Sequence, residues 1–349
     1  MKRFLILAIF AAIGLPGASL SGQNIPFTAE TFLGLPPNIH LGEVAGVATN
    51  SRGEIFVYTR TGNPTVTIGT ARTVSHGGSR LFQFSSNGIY MRELGTGAYG
   101  LLFAQQVRVD PQDNIWIVDR LANQVVSFDP NGRIRMVFGR KPEAMTIPTA
   151  PPPEPGTPPA PGRGSGAGTA GESFSRPTDV AWDSQGNIYV SDGYGNARIA
   201  KYTPEGRWIM NWGERGTEQG QFTTPHGIAI DAQDNVYVAD RGNERIQVFD
   251  TQGNFQRQIT GVGAPSAICI SPPPNQRLFV SNSNPTDNID VAGEIYVLSL
   301  DGRVLGQFGR AGKLPGEFGT VNAIDCRNAP QLLIGEVGNW RVQRVRLDM

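Results

Sequence analysis

One phrase recurs along this chain of 349 residues and limits the folds open to it: an alternating apolar stretch, an Asp- and Asn-rich turn, then an aliphatic-aromatic-aliphatic run closing on Asp. It reads VRVDPQDNIWIVD at 107–119, VAWDSQGNIYVSD at 180–192 and IAIDAQDNVYVAD at 228–240. Degenerate copies begin at Val47 (VATNSRGEIFVYT), at Ile268, ending LFVSN, and at Ile324, ending LLIGE. Alternation with period two marks strands, and the central turn supplies the Asn and Gly that tight hairpins require, so each copy predicts two antiparallel strands. A third strand follows, as in QVVSFD and RIQVFD, and a fourth ends in Gly, as in IRMVFG and WIMNWG. Six such four-stranded units match the blade length of a β-propeller. The expected fold is all-β, a six-bladed propeller. The last unit stops after its third strand, and residues 27–33 are expected to supply the missing outer strand and hide a sheet edge.

Outside the repeats, Lys2 and Arg3, an apolar run over 4–15 and small residues to Ser21 read as a signal peptide over 1–22, which predicts a secreted or periplasmic propeller over 23–349. That run is too short to span a bilayer, so no membrane span is expected. Residues 141–172, Pro-rich and then Gly-rich, read as a loop insertion between the second and third units. The Gly166, Gly168 and Gly171 spacing inside it matches a dinucleotide fingerprint but lacks the strand and helix that give such a motif meaning. Basic and acidic residues balance at 30 each, and 26 arginines to 4 lysines form no long basic run, which argues against nucleic-acid binding. The two cysteines, Cys269 and Cys326, exclude a disulfide framework or a Cys-rich zinc site. Aligned on the repeat they fall one register apart on neighbouring strands, which predicts free, buried thiols facing opposite ways.

In a propeller the innermost strand of each blade faces the central channel, so equivalent positions form a ring. Alignment on the closing acid gives that ring as Ala45, Gln105, Thr178, His226, Ser266 and Asn322. Gln105, His226 and Asn322 come from alternate blades and converge. The closing acids themselves suggest a glycosidase pair such as Asp192 and Asp240. Each, however, is followed by the same Asn and Arg: Asn196 and Arg198, Asn243 and Arg245, and, after Glu336, Asn339 and Arg341. A recurring local triad reads as hairpin structure.

The copies resemble the NHL repeat, and the stretches SDGYGNARI and TTPHGIAI are similar to the propeller of peptidyl-α-hydroxyglycine α-amidating lyases (peptidylamidoglycolate lyases), which cleave a C-terminal hydroxyglycine to an amidated peptide and glyoxylate. The resemblance implies active-site roles for Arg60, Tyr194 and His226, and a second substrate arginine at Arg241. It also implies three zinc-binding histidines at the places of Gln105, His226 and Asn322, of which this chain keeps one. Amide side chains are weak zinc donors, so a degenerate zinc site is expected, with Gln105 and Asn322 as ligand-binding residues. The family's calcium-binding Asp falls on Ala323, which leaves calcium without a charged ligand. Guanidinium groups suit a planar carboxylate, so the expected ligand is a peptide-like or small carboxylate. Without catalysis, the rival expectation is a recognition or scaffold propeller that binds a protein partner. Arg120, in the same turn as Arg241 two repeats earlier, reads as a solvated turn residue.

Overall fold

The computed structural model describes residues 23–61, 65–68, 72–75, 78–98, 101–139, 173–285 and 288–349. The signal-peptide reading, the 141–172 insertion and the Gly166 motif lie outside these residues.

Among the described residues the chain builds six four-stranded antiparallel sheets and one two-stranded hairpin. The innermost strands are Glu43–Thr49, Ala104–Val109, Asp179–Trp182, Pro225–Ile230, Pro265–Ile270 and Val321–Asp325. Each packs against the next, and the last against the first, so the blades close into a ring. The expected propeller is present. So is its closure: Phe27–Thr31 pairs antiparallel with Arg341–Leu347, in register from Phe27 opposite Leu347 to Thr31 opposite Gln343. Phe27 packs on Phe308 with ring centroids 5.3 Å apart, which ties the closing strand to the fifth blade as well.

The repeated phrase has a local logic that explains its aromatic residue. In the second, third and fourth blades the turn acid, Asp110, Asp183 or Asp231, accepts two backbone N–H groups of its own hairpin through one oxygen. Its other oxygen accepts from the turn Asn and from the aromatic of the following strand: Trp116 Nε1 at 2.9 Å, Tyr189 at 2.9 Å and Tyr237 at 3.1 Å. Each ring thus buries its body between sheets while its polar tip seals the turn. The closing acids are structural too. Asp192, Asp240 and Glu336 are fully buried and pair with Arg198, Arg245 and Arg341 at 3.1, 3.0 and 2.7 Å.

A guanidinium stands within the ring of inner strands. Arg108 grips Asp179 through Nε and Nη2, at 2.9 and 2.6 Å, and donates to the carbonyls of Ile268 and Ile324, at 3.2 Å each. One side chain of the second blade is thereby tied to the third, fifth and sixth.

The cysteines correct an expectation. Cys269 and Cys326 form a disulfide, with Cα atoms 6.0 Å apart. Strand alternation holds only within a strand, and only Cys269 lies in one; Val321–Asp325 ends one residue before Cys326. There the chain enters a turn, in which Ala329 N–H donates to the Cys326 carbonyl, and pleat no longer sets the direction of the side chain.

Candidate functional site

Antiparallel pairing places the end of each second strand beside the start of its inner strand: Arg60 opposite Glu43, Asp119 opposite Ala104, Asp240 opposite Pro225. The residues that follow the closing acids therefore gather at one mouth of the channel with the ring residues. In the second and fourth blades the same backbone bond fixes them, Arg120 N–H to the Phe103 carbonyl and Arg241 N–H to that of Thr224, both at 3.0 Å.

Register shifts between Ala104 and Gln106, Pro225 and Ile228, and Val321 and Ala323 mark bulges at Gln105, His226 and Asn322. A bulge re-aims a side chain out of the strand's alternation. His226 Nδ1 lies 3.0 Å from the Ser266 carbonyl, and Nε2 lies 3.2 Å from Gln105 Nε2. A carbonyl can only accept, so Nδ1 carries the proton and Nε2 accepts from the Gln105 amide. Burial, and then the charges of Arg241, Arg120 and Arg60, push the His226 pKa down to about 3. His226 is therefore a neutral, doubly bonded imidazole at ordinary pH. Asn322 turns its amide nitrogen to the carbonyls of Ala45 and Gln105, at 2.6 and 2.8 Å, and ties the sixth blade to the first and second.

The implied zinc does not fit this donor set. The imidazole nitrogen that a metal would need already accepts from Gln105, and the Asn322 amide nitrogen is directed at backbone oxygens. Two neutral amides do not replace two imidazoles. Gln105 Oε1 is buried without a partner, which leaves an acceptor in the pocket and no second strong metal donor.

Tyr194 stands over this cluster, its ring edge-on to His226 with centroids 5.9 Å apart. Glycines flank it for a steric reason: a Cβ on Gly193 would lie 2.0 Å from the Pro225 carbonyl, and one on Gly195 would lie 1.9 Å from Ser175 Oγ. The specific SDGYGN sequence thus brings the tyrosine loop against the fourth blade. Arg60 forms an ion pair with Glu43, donates to the Ala104 carbonyl at 2.8 Å and covers the Phe103 ring. Arg241, in the short helix Arg241–Asn243, makes no ion pair among the described residues, and its charge reaches His226.

The structure adds Arg120, which sequence reasoning set aside. Its guanidinium lies between two rings, 4.2 Å from the Phe103 centroid and 4.8 Å from that of Tyr194. No carboxylate pairs with it among the described residues. Burial lowers its pKa; the Arg60 and Arg176 charges act in the same direction, and Tyr194 opposes them. Phe103 is held in place from beneath, since the buried Asp119 accepts from the N–H groups of Leu102, Phe103 and Ala122 and from the Tyr58 hydroxyl.

At the opposite end of the channel a cavity of 390 Å³ opens between Val47, Val180, Ile228 and Ile268, with Arg108 among its lining residues. That guanidinium is already engaged by Asp179 and two carbonyls, and Arg327, the other arginine lining the cavity, pairs with Asp113 at 3.8 Å and donates to the Val109 carbonyl, so both positive charges at this end are met by the fold.

Comparison with known proteins agrees with this architecture. The NHL repeat family model matches residues 174–202 and 222–249. Peptidyl-alpha-hydroxyglycine alpha-amidating lyase 1 of Drosophila melanogaster is 37% identical over 106 residues, 30% of this chain and 16% of that protein. Peptidyl-glycine alpha-amidating monooxygenase A of Xenopus laevis is 25% identical over 298 residues, 78% of this chain and 28% of that protein. The chain thus spans less than a third of either relative. Among solved structures, a streptogramin B lyase superposes with a TM-score of 0.56 at 13% identity, over 92% of this chain and 98% of that one. A gluconolactonase from Xanthomonas campestris gives 0.55 at 14%, over 88% of each chain. At these identities the structural likeness concerns the fold. The chain is a six-bladed propeller of NHL repeats, related at modest identity to the amidating lyases.

Proposed function

We propose that this propeller binds a peptide-like or small carboxylate ligand at the Tyr194 mouth, using the arginines of the amidating lyases without their zinc. The observation that carries the reading is the set of guanidiniums around Tyr194 and His226: Arg60 is met by Glu43, whereas Arg241 meets no acid among the described residues. A guanidinium in a recessed, partly dry mouth favours a carboxylate through paired charge-assisted hydrogen bonds. Tyr194, held by its glycines, supplies a hydroxyl beside that carboxylate. Gln105 Oε1 offers an acceptor for a donor such as a substrate amide or hydroxyl.

Neutral His226 bound to Gln105 favours recognition over zinc-assisted lyase chemistry. We also place the protein in an oxidising, extracytoplasmic compartment, a reading supported by the Cys269–Cys326 disulfide and by the N-terminal sequence.

Titration calorimetry with N-acetylglycine tests the proposal. The unmodified protein should bind it, and Arg241→Ala should weaken binding by about 2 kcal/mol with melting unchanged, the scale of a charge-assisted contact. Equal affinity in the two proteins would overturn the carboxylate reading. One equivalent of zinc retained after dialysis, together with turnover of an α-hydroxyglycine peptide, would overturn the choice of recognition over lyase chemistry.

A further inference from the structure

We infer that the Tyr194 mouth is a receptor for small dianions, in which Arg120 supplies a second anion-binding guanidinium beside Arg241. This deepens the carboxylate reading and rests on it. Arg120 and Arg241 lie in equivalent turns of the second and fourth blades, each fixed by a backbone bond, and both charges reach His226. The third blade, between them, contributes Tyr194. Neither arginine has a carboxylate partner among the described residues, and Glu43 offsets Arg60 alone.

The clasp around Arg120 has a chemical consequence. Ring stacking engages the two faces of a guanidinium and leaves its in-plane N–H groups for an acceptor. The Phe103 and Tyr194 ring centroids lie 4.2 and 4.8 Å from its central carbon and the Tyr194 hydroxyl also engages it, which leaves the remaining N–H groups for a ligand. Holding the group rigid also reduces the entropy lost when a ligand docks. Burial, and then the positive charges of Arg60 and Arg176, lower the Arg120 pKa and disfavour the uncompensated cation in the unliganded protein. His226 is neutral and contributes none. A single carboxylate on Arg241 would leave the Arg120 charge uncompensated, whereas a second acidic group on the same small molecule would meet it. A dicarboxylate is the simplest ligand of that chemistry.

Succinate and succinamate test this, because they share a shape and differ by one charge. Calorimetric titration of the full chain at neutral pH should give succinate an affinity at least about 10-fold above that of succinamate, one charge-assisted contact in scale. Arg120→Gln should bring that ratio close to one, while Arg120→Lys, which keeps the charge without the planar stack, should retain part of the preference. Equal affinities in the unmodified protein, no succinate binding, or a preference that survives Arg120→Gln would each overturn the proposal. Comparable melting curves show that the variants are folded. The two readings separate through Arg241→Ala: if it weakens succinamate in a protein with no charge preference, the carboxylate site stands and the dianion receptor falls. If it leaves succinamate binding unchanged, the carboxylate reading itself falls.

Discussion

Arg108 and Arg120 belong to the same blade, and what surrounds each differs. Within the ring of inner strands, Arg108 is met by a carboxylate and two carbonyls. At the mouth, Arg120 is met by two aromatic faces and by no acid among the described residues. Burial opposes charge on both. At Arg108 the Asp179 charge and hydrogen bonds outweigh it and the pKa ends raised; at Arg120 burial prevails and the pKa ends lowered. Removal from water therefore does not distinguish cement from receptor. The distinction lies in whether the fold itself provides the counter-charge.

The sharpest way to break this comparison is Arg108→Met. Asp179 would remain buried with its cation gone, and urea denaturation at pH 7 should show a loss of about 3–5 kcal/mol. A loss near zero would mean that Arg108 is no more structural than its counterpart at the mouth.

A smaller effect concerns the mouth's own response to acid. His226 has a folded pKa of about 3, against about 6.5 in the unfolded chain. Between these values the unfolded chain takes up a proton that the folded protein refuses. His226 thus contributes stability that is present above pH 6.5 and lost progressively toward pH 3. From pH 7 to pH 5 the unmodified protein should lose about 2 kcal/mol more than a His226→Gln variant, read from paired urea titrations. Matching pH profiles would show that the imidazole is not kept neutral and that the arginine charges do not reach it.

The smallest expected change is in stability on Arg120→Gln. With no acid left behind, the unfolding free energy from urea titration should fall by less than about 1 kcal/mol. A cost like that of Arg108→Met would move Arg120 to the structural side and erase the contrast.

Much of this was legible in the sequence because the repeat is a local device. Asp183 seals its own turn and Asp192 its own blade, so the phrase that encodes a hairpin also names its partners. The ring positions Gln105, His226 and Asn322 followed by alignment, and the missing outer strand of the last unit pointed to closure by residues 27–33, of which Phe27–Thr31 form the strand. Two features were missed because they are made between blades. Arg120 has its character from Phe103, on the connection into its own blade, and from Tyr194, a blade away; no spacing in the chain records that meeting. Cys326 lies one residue past its strand, where a period-two rule had already lapsed. Alignment could show where Gln105 falls but not that its amide would take the imidazole nitrogen a metal requires.

The closing strand has a consequence in time. Glu30 and Arg344, which pair across the sixth blade, are 314 residues apart in the chain. At the usual pace of synthesis, about 5–20 residues per second, the first of these strands waits on the order of 15–60 s for its partner to be made. Five blades can fold as they emerge, each by local hairpins, while the strand that completes the circle stays an open edge. The ring therefore matures at the rate of the ribosome, and its closing hydrogen bonds join strands made 314 residues apart.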